Sequence, residues 1–500
     1  QLRRRHGESS MKITHTRKYD SKLPANDDHP YRNGAWKPMA TEYDATDLDV
    51  ISGEIPKDLT GVYLRNTENP LLPAIGRYHP FDGDGMLYAI SFENGKASYR
   101  NRFVQTKGLK AEIEAGEPLW AGIIESPLQS KCEGWGARTK MKDASSTDVV
   151  VHAGVAVSTF YQCGDGYLLD PRTLEDKGTA HWAKGLPNDT GVSAHTKVDE
   201  NTGELLFFGY GTRAPYMHYG VVDASGKLVH LTPIELPGPR LPHDMCFTDN
   251  YAILNDFPSF WDPALMEKGV YRAKFHADMP SRFGIVPRRG TNADVKWFEA
   301  SPTYVLHFVN AFEDGDEIVL DGFHQGIPMP KIRPEDGPWG AMGKLLDTHE
   351  LHTRLCRWRF NLKTGKTTES FLDDQFLEFP TINQKVAGKA YRYAYCTTME
   401  RGSFLFKGIH RYDLKDGTKV GYEYPKGVYA SESPFAPRDG ATSEDDGYVV
   451  TFTIDLNENM STCDVFDAKD LAKGPIARVR LPERISSGTH SYWAGKDLLA

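Results

Sequence analysis

Short apolar runs that end in Asp, Asn or Gly turns recur along this chain, and that rhythm restricts its fold more than anything else in it. Met86-Leu87-Tyr88-Ala89-Ile90 leads to Glu93-Asn94-Gly95, Val149-Val150-Val151-His152 to Ala153-Gly154, and Arg357 to Leu362 to Lys363-Thr364-Gly365. Runs of β-branched and aromatic residues bounded by turn formers read as antiparallel strands. They continue from Leu48 to Trp493, too many for one sandwich but suited to a radial array of four-stranded blades. No fixed blade signature repeats, so periodicity alone does not number the blades. Two longer inserts, 106–143 and 329–353, break the rhythm. The first holds the helix-compatible Leu109-Lys110-Ala111-Glu112-Ile113-Glu114, and both are expected to cap one face. Residues 1–46, polar and carrying Pro24, Pro30 and Pro38, are expected to form an arm over the surface. Within that arm, residues 1–10 read as an extension ahead of Met11. Residues 47–500 are expected to fold as one propeller.

The charge balance narrows the partners. A net charge of -9 leaves no excess of Lys and Arg to neutralise phosphates, which argues against nucleic acid. The one dense basic cluster is Arg3-Arg4-Arg5. No run approaches the ~18 apolar residues of a membrane span. The N-terminus, Gln1-Leu2-Arg3-Arg4-Arg5-His6, lacks the apolar core of a signal peptide. The six cysteines have no CxxC spacing and are expected to be free thiols. A cytoplasmic protein, monomeric or homodimeric, is the resulting expectation.

Four histidines stand in similar surroundings, at or beside the start of a strand: Ala194-His195-Thr196-Lys197, Leu241-Pro242-His243-Asp244, Val305-Leu306-His307-Phe308 and Gly488-Thr489-His490-Ser491. Neutral imidazole suits zinc, copper and iron. Metal-bound histidines normally donate their second ring N–H to a carboxylate or carbonyl, and Glu378 and Glu432 are candidates for that part. The separations along the chain match no short metal motif. A histidine taken singly from 17 is more often a surface or core residue than a ligand. Asp244 next to His243 could pose as a catalytic dyad, but neighbours on a strand point to opposite faces.

Several segments in order carry a resemblance: Gly61-Val62-Tyr63-Leu64-Arg65-Asn66, Phe81-Asp82-Gly83-Asp84-Gly85-Met86, Ala194-His195, Pro242-His243-Asp244, His307-Phe308-Val309-Asn310-Ala311, Phe376-Leu377-Glu378-Phe379-Pro380-Thr381, Ser431-Glu432 and Gly488-Thr489-His490. Together they are similar to the carotenoid cleavage oxygenases. The resemblance implies an all-β, seven-bladed propeller with a helical and loop cap over the iron-binding face. It implies Fe(2+) held by His195, His243, His307 and His490, with Glu378 and Glu432 behind ligand histidines and Phe81 packing on the substrate. The implied reaction is O2-dependent cleavage of a C=C bond into carbonyl products without an external reductant.

The sequence departs from the family pattern in two places. Gln162 stands where a third supporting glutamate is usual, which predicts an iron site more positive by one charge. Ile124 and Tyr161 stand where lignostilbene-type members carry a Tyr and a Lys for the substrate phenol. Tyr161 can still donate to a phenolic oxygen, and Lys140 or Lys142 could substitute for the lysine. The implied substrate is a hydrophobic conjugated aryl-alkene of stilbene, vinylphenol or isoeugenol type. The alternatives are an apocarotenoid or other polyene, or a non-catalytic ligand-binding propeller with structural histidines. Trp120, Trp135, Phe260, Trp261 and Trp339 are expected to pack the rim and cap, a tunnel lining being the other reading.

Overall fold

The computed structural model describes residues 9–135, 140–186 and 190–499; Arg3-Arg4-Arg5 falls outside the described residues. Seven antiparallel sheets of four or more strands form the blades. In chain order around the ring, their innermost strands are Ser491–Gly495, Asp148–His152, Lys197–Asp199, Cys246–Phe247, Val305–Asp314, Glu378–Thr381 and Phe435–Pro437.

The apolar runs have a direct cause. Side chains alternate between the two faces of a strand, and in a propeller both faces meet another blade. In Met86–Glu93, the side chains of Met86, Tyr88, Ile90 and Phe92 enter a seam with Val450, Phe452 and Val465 of the seventh blade. Leu87 and Ala89 enter a different seam, with Val149, Val151 and Val157 of the second.

Both ends of the propeller sequence close the ring. Ser491–Gly495 pairs antiparallel with Gly61–Arg65, so the last strand becomes the innermost of the first blade. Val50–Gly53 in turn pairs with Ala477–Arg480 on the outside of the seventh. Closure of this kind leaves few unpaired strand edges.

The arm differs from the expectation. Lys12–Lys18 and Thr41–Thr46 are strands that extend the outer edge of the first blade. Their polarity arises because Lys12–Lys18 is exposed along its whole length. Between them Tyr31 and Trp36 are buried, and Trp36 Nε1 donates to the Phe404 carbonyl at 3.0 Å.

The first insert forms the helix Lys107–Ala115, opened by the Thr106 hydroxyl accepting from the Leu109 N–H and closed by Gly116 at φ 70°. The second forms Gly340–Leu345 and Thr348–Leu351, the latter capped by Asp347. All six cysteines are free, five of them buried. Among the described residues no helix is long and apolar enough to cross a membrane.

Candidate metal centre

The centre takes one polar side chain from each of the seven blades, on its inner strand or within three residues before it. His490, His195, His243 and His307 come from the first, third, fourth and fifth blades; Asp148, Glu378 and Glu432 come from the second, sixth and seventh. The four histidines are buried, and their candidate ligand atoms all lie within 4.8 Å of one another. Residues remote in sequence meet because every inner strand runs along the same axis.

Three of the imidazoles are held from behind. His195 Nδ1 donates to Asp148 Oδ2 at 2.7 Å, His307 Nδ1 to Glu378 Oε2 at 2.5 Å, and His490 Nδ1 to Glu432 Oε2 at 2.8 Å. An ionised carboxylate can only accept, which puts a proton on Nδ1; at His195 and His307 the Nε2 lone pair then faces the axis. His195 Nε2 lies 3.0 Å from His243 Nε2, and the buried Nε2 of His307 has no hydrogen-bond partner. Converging lone pairs of this kind, buried and backed by anions, fit a divalent cation at their centre. Zinc, copper and iron all accept such donors. Four nitrogens with no carboxylate ligand are compatible with Fe(2+) but do not by themselves select it.

Asp148 was not among the sequence candidates. Three carboxylates, not two, contact the imidazoles, despite the glutamine at 162. The only signal was an acid opening the strand Asp148-Val149-Val150-Val151-His152, which resembles nothing metal-specific. Gln162 is buried and is absent from the walls of both spaces that reach the histidines. His243 Nδ1 is buried without a hydrogen-bond partner. Asp244 points away from its neighbour: Oδ1 pairs with Lys197 Nζ at 2.9 Å and Oδ2 accepts from the Phe308 N–H at 2.8 Å. It braces the third, fourth and fifth blades where the ladder around His307 is irregular.

One guanidinium ties two of the supports together. Arg65, fully buried, donates to the Ser431 hydroxyl at 2.6 Å and the Ser486 carbonyl at 2.5 Å, linking the segments that carry Glu432 and His490. Gly488 lets this approach happen, because a Cβ there would stand 2.2 Å from Thr67 Oγ1 and 2.6 Å from the Asn66 carbonyl. Gly488→Ala is therefore expected to cost about 1–3 kcal/mol by overpacking and to loosen His490. The checks are the denaturant midpoint and metal retention on dialysis.

Burial lowers the pKa of His195, His243 and His307, His243 to about 3, so these rings are neutral and ready to bind. At His490 burial also lowers the pKa, but the Glu432 carboxylate outweighs it and holds the ring at about 9. In the metal-free protein this raised pKa contributes stability that is complete below pH 6.5 and lost as pH rises through about 9. Metal must displace that proton. Affinity is thus expected to rise about tenfold per pH unit from pH 7 toward 9 and then level off, measured by competition with a chelator of known affinity.

On one side of the histidines lies an apolar cavity. Phe81, Tyr161, Leu306, Leu351, Phe379 and Phe404 line it together with His243, His307 and His490. The second insert supplies Leu346, Thr348 and Leu351 to its wall. Phe379 has a left-handed backbone, φ 52°, which turns its ring onto His490 and His307 at 4.7 and 4.8 Å. The Tyr161 ring lies 5.3 Å from Phe81 and 5.1 Å from His243.

Neither lysine replaces the missing one. Lys142 is bound to Asp84 at 2.9 Å and Glu112 at 2.6 Å, and Lys140 lies 3.4 Å from Glu133; neither lines the cavity. Ile124 packs in the apolar cluster beside Phe81. Of the five loop aromatics, Trp120 packs on Trp135, Phe260 on His276, Trp261 on Tyr271 and Trp339 on His29; none is on the cavity wall.

A seven-bladed propeller with four buried imidazoles on its axis defines a narrow class. Residues 36–495 match the family described as retinal pigment epithelial membrane protein. The chain belongs to that family, the carotenoid cleavage oxygenases, among whose members are carotenoid, isoeugenol and lignostilbene oxygenases. It is 32% identical to a carotenoid 9,10(9',10')-cleavage dioxygenase 1 of Phaseolus vulgaris, over 96% of this chain and 91% of that protein. It is 30% identical to an isoeugenol monooxygenase of Pseudomonas nitroreducens, over 95% and 99%. The crystal structure of Pseudomonas brassicacearum lignostilbene dioxygenase superposes with a TM-score of 0.83 at 27% identity, covering 94% of this chain and 99% of that one.

Proposed function

We propose that this chain is a non-haem Fe(2+) dioxygenase that cleaves the C=C bond of an aryl-alkene of stilbene, vinylphenol or isoeugenol type, giving aldehyde products. The observation that carries the reading is the four-imidazole centre at the wall of an apolar, aromatic cavity. Bound iron would supply the activation of O2 beside the alkene. The remaining work falls to the chain. His195, His243, His307 and His490 hold the ion, while Asp148, Glu378 and Glu432 fix the tautomers of three of them and offset its charge. Phe81 and Phe379 offer ring faces to a conjugated substrate. Tyr161, on the cavity wall beside His243, would donate to a phenolic oxygen, and the apolar wall would keep water from the reacting carbons.

A polyene is the second reading, favoured by one observation: no lysine ammonium lines the cavity to stabilise a phenolate. Incubation with isoeugenol, 4-vinylguaiacol, resveratrol and an apocarotenal under labelled O2 separates the two. An aromatic aldehyde carrying the label supports the aryl-alkene reading; turnover of the apocarotenal alone transfers the proposal to the polyene.

A further inference from the structure

A second space reaches the same histidines from the opposite side. It touches His195, His307 and His490 and is walled by residues of all seven blades. The apolar cavity has no charged wall residue except Glu378, which is committed to His307. The axial channel instead carries Asp148, Lys197, Asp244 and Glu432, with polar Asn310 and Gln384. Gln384, Phe435 and Trp493 also line a wider vestibule beyond it. That vestibule reaches the surface at exposed Lys385, Thr442, Lys496 and Asp497, with Glu200 on its wall.

We propose that this axial channel is the port through which a hydrated divalent metal ion reaches the four imidazoles, leaving the apolar cavity to the organic substrate. The inference rests on the reading of the histidines as a metal site. A dication must keep water or oxygen ligands until nitrogen replaces them, since stripping it in an apolar space is prohibitive. Beyond Glu378 the cavity wall offers only the hydroxyls of Thr147, Thr348, Thr353, Thr489 and Tyr161, whereas the channel carries three carboxylates and two amides. Carboxylates stand at its vestibule and again at its inner end, where Asp148 and Glu432 back the very imidazoles that receive the ion. Lys197 does not oppose this, because its ammonium is bound to Asp244. The channel walls come from the inner strands of all seven blades, so the route lies on the symmetry axis of the fold and needs no movement of the cap.

The test blocks the neck after folding, so that a misfolded variant cannot mimic the result. Cys132 is the one exposed cysteine; in a Cys132→Ser background, Gln384→Cys is made and the metal-free protein is labelled with a benzyl methanethiosulfonate, a single adduct being confirmed by mass. Cobalt(II) uptake is followed anaerobically by its visible absorption and by metal analysis. The expected result is uptake slowed by about tenfold or more, with the same final metal content, and restored when a phosphine reductant removes the label. An uptake rate that the label leaves unchanged overturns the port while the metal centre stands. No uptake by the unlabelled protein removes the metal centre and the port together.

Discussion

His307→Ala is expected to yield a folded protein that loses its metal on desalting and cleaves no alkene. The fall in metal affinity should exceed about 100-fold, since changes to residues merely supporting a ligand already cost 10- to 100-fold. The reason is structural. His307 has its Nδ1 fixed by Glu378, its Nε2 free toward the axis, and neighbours at 5.1 Å (His195) and 4.6 Å (His490) between ring centres. Alanine removes one of the four nitrogens and leaves a gap on the cavity side. Metal analysis after anaerobic reconstitution, with circular dichroism as the folding control, measures the effect. Full metal content with full activity would show that three imidazoles and some other group make the site.

Glu378→Gln carries the second largest effect, a loss of about 10- to 100-fold in metal affinity or kcat/KM. The Glu378 carboxylate accepts from both His307 Nδ1 and the Phe379 N–H at 2.5 Å through one oxygen. Burial raises its pKa well above the usual carboxylate range, and a dication at the axis would draw it back to the ionised form. The amide keeps the shape and one acceptor but not the charge, so the imidazole becomes a poorer donor to metal. Glu378→Asp should recover less than wild type, because the shorter chain withdraws the oxygen from the ring. Wild-type affinity in Glu378→Gln would remove the carboxylate's charge from the account.

How much of this was legible in the sequence depends on the length scale. Alternating and continuous apolar runs revealed the strands directly, because every blade face is buried against the next. The arm's two strands escaped notice, since an exposed outer strand such as Lys12–Lys18 has no apolar face to display. Ring closure by Ser491–Gly495 on Gly61–Arg65 is a pairing between the two ends of the propeller sequence, and no local pattern announces it. The convergence of four histidines followed from family likeness, not from spacing. The habit of metal-bound histidines to donate to a carboxylate already points to Glu378 and Glu432. Asp148 was missed because its role depends on which strand happens to be innermost in the second blade. Lys142 illustrates the reverse error: a lysine near the right place in sequence is spent on Asp84 and Glu112, inside the fold and off the cavity wall.

The proposed chemistry depends on one ion bound where blade strands meet. A crystal of the anaerobically loaded protein, with diffraction collected above and below the iron absorption edge, tests this most directly. A single anomalous peak within bonding distance of the Nε2 atoms of His195, His243, His307 and His490 is the predicted result. Density for iron elsewhere, or none despite loading, would contradict it.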